Sequence, residues 1–224
     1  MCFEEIFLDD NRLSSIPEDI GRLKNLKSLS LYQNELTSLP NSAWQLTNLQ
    51  TLNISANHFA SVPDEIGNLT NLHMLDLGHN ALTSLPESLG NLTNLTFLYL
   101  SNNNLTALPR SLAKLHNLVY LNITDNRLAS LPEWIGKLTN LVELRLYNNL
   151  VASLPDSAGQ LQNLKELHVM NNKLESLPAS IGNLISLKKL GLQGNRLTAL
   201  PAPVGNLANL TDLDLRNNRL TSLP

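Results

Sequence analysis

An asparagine returns every 23 residues along this chain: Asn11, Asn34, Asn57, Asn80, Asn103, Asn126, Asn149, Asn172, Asn195 and Asn218. A proline keeps the same period from Pro17 through Pro109 to Pro224. Around each asparagine stands one apolar skeleton. Leu95, Leu98 and Leu100 precede Asn103, and Leu105, Leu108 and Pro109 follow it; one period on come Leu118, Leu121, Ile123, Asn126, Leu128, Leu131 and Pro132. A fixed period of this length marks a repeat array, whose units bury their apolar faces only by stacking on one another. The units run 3–25, 26–48, 49–71, 72–94, 95–117, 118–140, 141–163, 164–186, 187–209 and a partial 210–224. They are expected to form a single elongated domain.

Within a unit, the segment LTFLYL (95–100) alternates apolar residues with others, the pattern of a strand buried on one face. Successive strands are same-direction copies, which predicts a parallel sheet, and parallel strands need a crossover. The fixed proline and the glycines at 67, 90, 136, 159, 182 and 205 discourage long helices in that crossover, so 3₁₀ turns and extended segments are expected there. The asparagine column offers amide donors and acceptors to backbone groups left unpaired where the strand turns, and is read as a buried ladder.

This skeleton resembles the leucine-rich repeat consensus, L-x-x-L-x-L-x-x-N-x-L, over essentially the whole chain. The tail of each unit, as in LPESLGNLTNL (85–95), is similar to the 23-residue class found in Ras-group intracellular scaffolds, Erbin- and Densin-type scaffolds and bacterial relatives. The resemblance implies an α/β leucine-rich repeat solenoid, a right-handed horseshoe with its parallel sheet on the concave face and 3₁₀ or extended turns on the convex face. It also implies a non-enzymatic scaffold whose partners are small GTPases, kinases or phosphatases.

Composition narrows the setting. The net charge of −3, with both signs interspersed, argues against nucleic acid, which calls for a basic stripe. One cysteine, Cys2, excludes an internal disulfide and favours a reducing, cytoplasmic compartment. No long uninterrupted apolar run predicts a membrane span. No phosphate-binding or nucleophile-elbow motif is present, and no cofactor is expected.

Function is expected on the strand positions that point away from the core: the third, fifth and seventh residues counted from the first leucine of each unit. These positions hold all four tyrosines, Tyr32, Tyr99, Tyr120 and Tyr147, although the core uses leucine almost throughout. Tyr, Arg and Met are the types enriched where interfaces concentrate their binding energy. The candidate partner-binding set is therefore Met74, Asp76, Phe97, Tyr99, Tyr120, Asn122, Glu143, Arg145, Tyr147, His168 and Met170. The nearest approach to a metal constellation, His58 and His79 with Asp76, lacks a third clear ligand, and no metal is expected. Trp44 and Trp134 fall on the return and are read as local packing. Two alternatives stand beside the scaffold reading. One is the targeting portion of a larger signalling enzyme or bacterial effector, with a kinase, GTPase or ubiquitin-ligase domain elsewhere. The other is a self-associating element whose uncapped ends stack copy on copy.

Overall fold

A computed structural model describes residues 3–223; Cys2, on which the compartment expectation rests, and Pro224 lie outside the described residues. The chain divides after Leu118 into two compact units. The first carries strands β1 (Glu5–Phe7), β2 (Ser28–Ser30), β3 (Thr51–Asn53), β4 (Met74–Asp76) and β5 (Phe97–Tyr99). The second carries β6 (Tyr120–Asn122), β7 (Glu143–Arg145), β8 (Glu166–His168), β9 (Lys189–Gly191) and β10 (Asp212–Asp214). Inside each unit consecutive strands pair in parallel with a register shift of one repeat. Leu29, Leu52, Leu75 and Leu98 stand side by side in the first, and Leu121, Leu144, Leu167, Leu190 and Leu213 in the second.

The returns are 3₁₀ turns of five residues, such as Glu87–Asn91 in the first unit and Asp156–Gln160 in the second. Each opens directly after the fixed proline, whose ring holds φ near −70° and which lacks the N–H that a helix start leaves unpaired anyway. A leucine closes each turn, donating its N–H three residues back, as Leu92 does to Leu89. Neighbouring returns touch closely at Gly90, where a Cβ would overlap the Ser111 carbonyl, although the returns holding Trp44 and Ala113 at this position form the same five-residue turn. Among the described residues no helix is long and apolar enough to cross a membrane.

The core lies between sheet and returns. Leu75, Leu98, Leu100, Leu105, Leu146 and Leu164 are fully buried. Val151 rather than Leu150 takes the core slot of its repeat, leaving Leu150 exposed. Trp44 stands where most repeats have glycine; it is only 1% exposed and shares a recess with Phe59, in keeping with the packing reading. Trp134 is half-buried.

The asparagine column forms the expected ladder. Asn57 donates to the carbonyls of Leu31, Ile54 and Ser55 and accepts the Leu36 N–H. Asn149 repeats the pattern in the second unit with Ile123, Leu146, Tyr147 and Leu128. Each side chain thus ties its own turn to the repeat before it. A second ladder runs along the outer edge, one residue before the first leucine of each repeat. There Asn48, Asn71, Asn94, Asn117, Asn163 and Asn209 each donate to a carbonyl of the preceding repeat, at 2.7–2.9 Å. Ser186 occupies this position in its own repeat and is too short to reach across.

Candidate partner-binding face

In each unit, the sheet face opposite the 3₁₀ returns carries the third, fifth and seventh strand positions. The alternation that buries Leu98 between Phe97 and Tyr99 puts those two side chains on the open face. Four predicted residues form a block in the first unit, because the β4–β5 register sets Met74 beside Phe97 and Asp76 beside Tyr99. Phe97 is the most open of them, 40% exposed. The other seven fall in the second unit on β6, β7, β8 and the residues just after them. Tyr120, Glu143 and Glu166 make one row and Asn122, Arg145 and His168 the next. Tyr147 and Met170 follow, half-buried.

The second unit's face is an ion-pair lattice. Glu143 and Glu166 stand directly opposite each other on adjacent strands, a repulsive pairing if left alone. Each is relieved by a cation. Arg145 Nε donates to Glu143, and its guanidinium lies 5.6 Å from the centre of the Tyr120 ring, within cation–π range. Glu166 takes Lys189 Nζ at 2.9 Å on one oxygen and His168 Nε2 at 3.0 Å on the other. The hydrogen bonds from Lys189 and then His168 hold the Glu166 carboxyl below its ordinary range. At the far strand Arg216 chelates Asp214, with contacts of 2.7 and 2.9 Å. Pairs this exposed are screened by solvent and add little to stability, so their main effect is to fix where charge sits.

Two of the predicted residues also serve the backbone. Asp76 Oδ1 accepts the Gly78 N–H at 2.8 Å, and Asn122 Oδ1 accepts the Thr124 N–H at 3.1 Å. Both act as local turn-makers of the kind that Asp and Asn favour. Burial pushes the Asp76 carboxyl above its ordinary pKa in spite of that bond.

The histidines considered for metal binding do not converge on a site. His79 instead meets Asn102 across one repeat, at 3.2 Å. The group that does come together is Glu143, Glu166 and His168, whose ligand atoms lie within 4.8 Å of one another. Their carboxylates are engaged by Arg145 and Lys189, so a cation would enter only by displacing those side chains. Glu166 and Lys189 were not among the predicted site residues. Opposite charges one repeat apart, at the third position of successive strands, are the signal that points to them.

One further column was unread. The residue just before each ladder asparagine adopts the left-handed conformation, with φ between 52° and 56° at Asp10, Gln33, Ala56, His79, Asn102, Asp125, Asn148, Asn171 and Asn217, and 70° at Gly194. In the second unit this column is linked by side chains, Asn148 donating to Asp125 and Asn171 to Asn148, both at 2.8 Å.

Stacked parallel strands, tight 3₁₀ returns and a laddered asparagine define a solenoid repeat protein with an open sheet face. The chain belongs to the leucine-rich repeat family. The family described as leucine-rich repeat region matches residues 6–80, 44–115 and 72–180, and that of paired leucine-rich repeats matches 185–224. Among solved structures, it is similar to a leucine-rich repeat protein of Leptospira interrogans, with 37% identity and a TM-score of 0.89, covering 99% of this chain and 62% of that one. It is also similar to the plant peptide hormone receptor RGFR1, solved with RGF2, at 32% identity and a TM-score of 0.86, covering 96% of this chain and 36% of the receptor. The Arabidopsis receptor kinase HAESA, solved with the peptide hormone IDA and the co-receptor SERK1, is 35% identical with a TM-score of 0.85, covering 97% of this chain and 38% of that one. No curated protein sequence matches the chain significantly.

Proposed function

We propose that this chain is a non-catalytic recognition scaffold that binds a partner protein on the open face of its sheet, in a cytoplasmic setting. In the first unit Met74, Asp76, Phe97 and Tyr99 supply the contacts. In the second, Tyr120, Asn122, Glu143, Arg145, Tyr147, His168 and Met170 do so. The observation that carries this reading is the placement of the tyrosines. All four stand on the open face, while the buried apolar core of both units contains none. Rigid aromatic side chains with a polar tip, beside an arginine already held by a carboxylate and a ring, lose little entropy on binding. The solved plant relatives, captured with peptide hormones, lend support to a protein or peptide ligand in general. The partner class follows the resemblance to Ras-group scaffolds: a small GTPase, a kinase or a phosphatase.

The test is affinity capture with the intact chain and two variants, Phe97→Ala and Tyr120→Ala/Tyr147→Ala, each checked for folding by circular dichroism. A Trp134→Ala variant on the return side serves as control. Loss of the captured protein with either open-face variant and retention with the control is the expected result. Equal capture by all four proteins removes the open face from consideration.

A further inference from the structure

On the second unit's face, Gly191 occupies a fifth-position slot between His168 on β8 and Asp214 on β10. The other strands of the unit fill that slot with Asn122, Arg145, His168 and Asp214. The Met170 thioether lies over the missing side chain, its sulfur overlapping the place where a Cβ would stand, and beside it is a recess of about 210 Å³ bordered by His168, Met170, Lys189, Asp212 and Asp214.

Three observations give this recess one chemical character. Glu166 is a hydrogen-bond acceptor when ionised and sits 3.0 Å from His168 Nε2, so Nε2 is the donor, and in the neutral imidazole Nδ1 carries the lone pair. Nδ1 lies 3.5 Å from the point where a Cβ on Gly191 would stand, which turns that lone pair toward the recess. The Asp212 carboxylate, meanwhile, accepts Thr211 Oγ1 on one oxygen at 2.6 Å and feels the charge of Lys189 beside it, but makes no ion pair among the described residues. The neighbouring cations are already committed, Lys189 to Glu166 at 2.9 Å and Arg216 to Asp214 at 2.7 Å. Lastly, the Met170 thioether folds across Gly191 and forms an apolar wall. Two acceptors and a greasy wall, with both nearby cations neutralised, suit a cation on an aliphatic stem.

We propose that the recess over Gly191 receives a lysine or arginine side chain of the partner protein. Its charged head pairs with Asp212 and donates to His168 Nδ1, while its methylenes lie along Met170. This deepens the open-face reading and rests on it.

The probes are N-acetyl-arginine amide and N-acetyl-lysine amide, with N-acetyl-norleucine amide as the uncharged counterpart, titrated into the full ¹⁵N-labelled chain. Saturable movement of the Gly191 amide resonance is expected with both cationic probes and not with norleucine. Asp212→Asn should weaken that binding about tenfold, as loss of a charge-assisted contact does. Gly191→Val should abolish it by filling the recess; the added methyls meet the mobile end of Met170, and a β-branched residue suits a strand. If that variant unfolds, Asp212→Asn decides alone. No saturation, an equal response to norleucine, or unchanged affinity in Asp212→Asn overturns the proposal.

The captured partner separates the two layers of the account. If its binding is lost in Tyr120→Ala/Tyr147→Ala but unchanged in Asp212→Asn, the face stands and the recess proposal falls. If the probes bind but capture ignores the aromatic variants, the face reading has failed, and the assignment of a partner side chain fails with it.

Discussion

The two units are built on one skeleton and present different chemistry. In both, leucines at the same repeat positions are fully buried and asparagines make the same four hydrogen bonds, as Asn57 and Asn149 illustrate. Their open faces diverge. The first unit offers Phe7, Ser28, Tyr32, Thr51 and Asn53 beside a small block of Met74, Asp76, Phe97 and Tyr99, while its Ser30, Ser55 and Ser101 are buried. The second offers tyrosines, a histidine and a lattice of ion pairs from Glu143 to Arg216. They differ again at the left-handed column. Gln33, Ala56 and His79 hold positive φ in the first unit, where the second uses Asp125, Asn148, Asn171, Gly194 and Asn217. The comparison separates two kinds of position. Scaffold residues answer to the stacking geometry and repeat; face residues are free of that constraint and do not.

That separation predicts equal penalties for equal scaffold lesions. Leu75→Ala and Leu144→Ala, one in each unit, should each cost about 2–5 kcal/mol in urea denaturation, since both side chains are no more than 1% exposed. A large inequality between them breaks the idea that the skeletons are equivalent. Next in size is the left-handed column. Ala56 at φ 53° is strained in a way Asn148 at φ 55° is much less so, and Ala56→Gly should stabilise by about 1 kcal/mol. Asn148→Gly should give little or no gain in the same thermal melt. Smaller still, Ser186→Asn should complete the outer amide ladder by donating to the Gln162 carbonyl, one repeat back. The expected gain is about 0.5–1 kcal/mol, read from the urea midpoint.

The smallest effect depends on pH. Burial raises the Asp76 pKa above its ordinary 3.8, so the native state holds that proton more tightly than the unfolded chain. The resulting stabilisation is present below the ordinary carboxylate pKa and is lost as pH rises through the raised value. Asp76→Asn keeps the bond to Gly78, as Asn122 keeps its own to Thr124, and removes the charge. It should therefore be more stable than the native chain near neutral pH and indistinguishable at about pH 3. Denaturation midpoints at the two pH values check this.

What could be read from the sequence follows the same division. The strands, the 3₁₀ returns, the core leucines and the asparagine ladder were legible because a 23-residue period repeats the strand and its asparagine ten times and, among the described residues, the return nine times. The left-handed column was equally regular but masked. Asn102, Asp125, Asn148, Asn171, Gly194 and Asn217 carry the signal for positive φ, and Ala56, Gln33 and His79 hide it in the first unit. The outer amide ladder passed as consensus, because nothing in L-x-N-L says that Asn48 or Asn163 reaches back a repeat. On the face, Arg145, Glu143 and His168 were legible by residue type. Glu166 and Lys189 were not, since their part is set by neighbours on adjacent strands rather than by their own chemistry. Gly191 was least legible of all: a missing side chain acquires meaning only when its neighbours are in place.

Recognition on the open sheet face, as proposed above, can be tested directly. The most direct measurement places a photoreactive benzoyl-phenylalanine at Phe97, at Tyr147 and, separately, at Trp134, and illuminates each protein with its captured partner. Crosslinks from positions 97 and 147 and none from 134 are the predicted result. A crosslink from 134 alone would contradict the account.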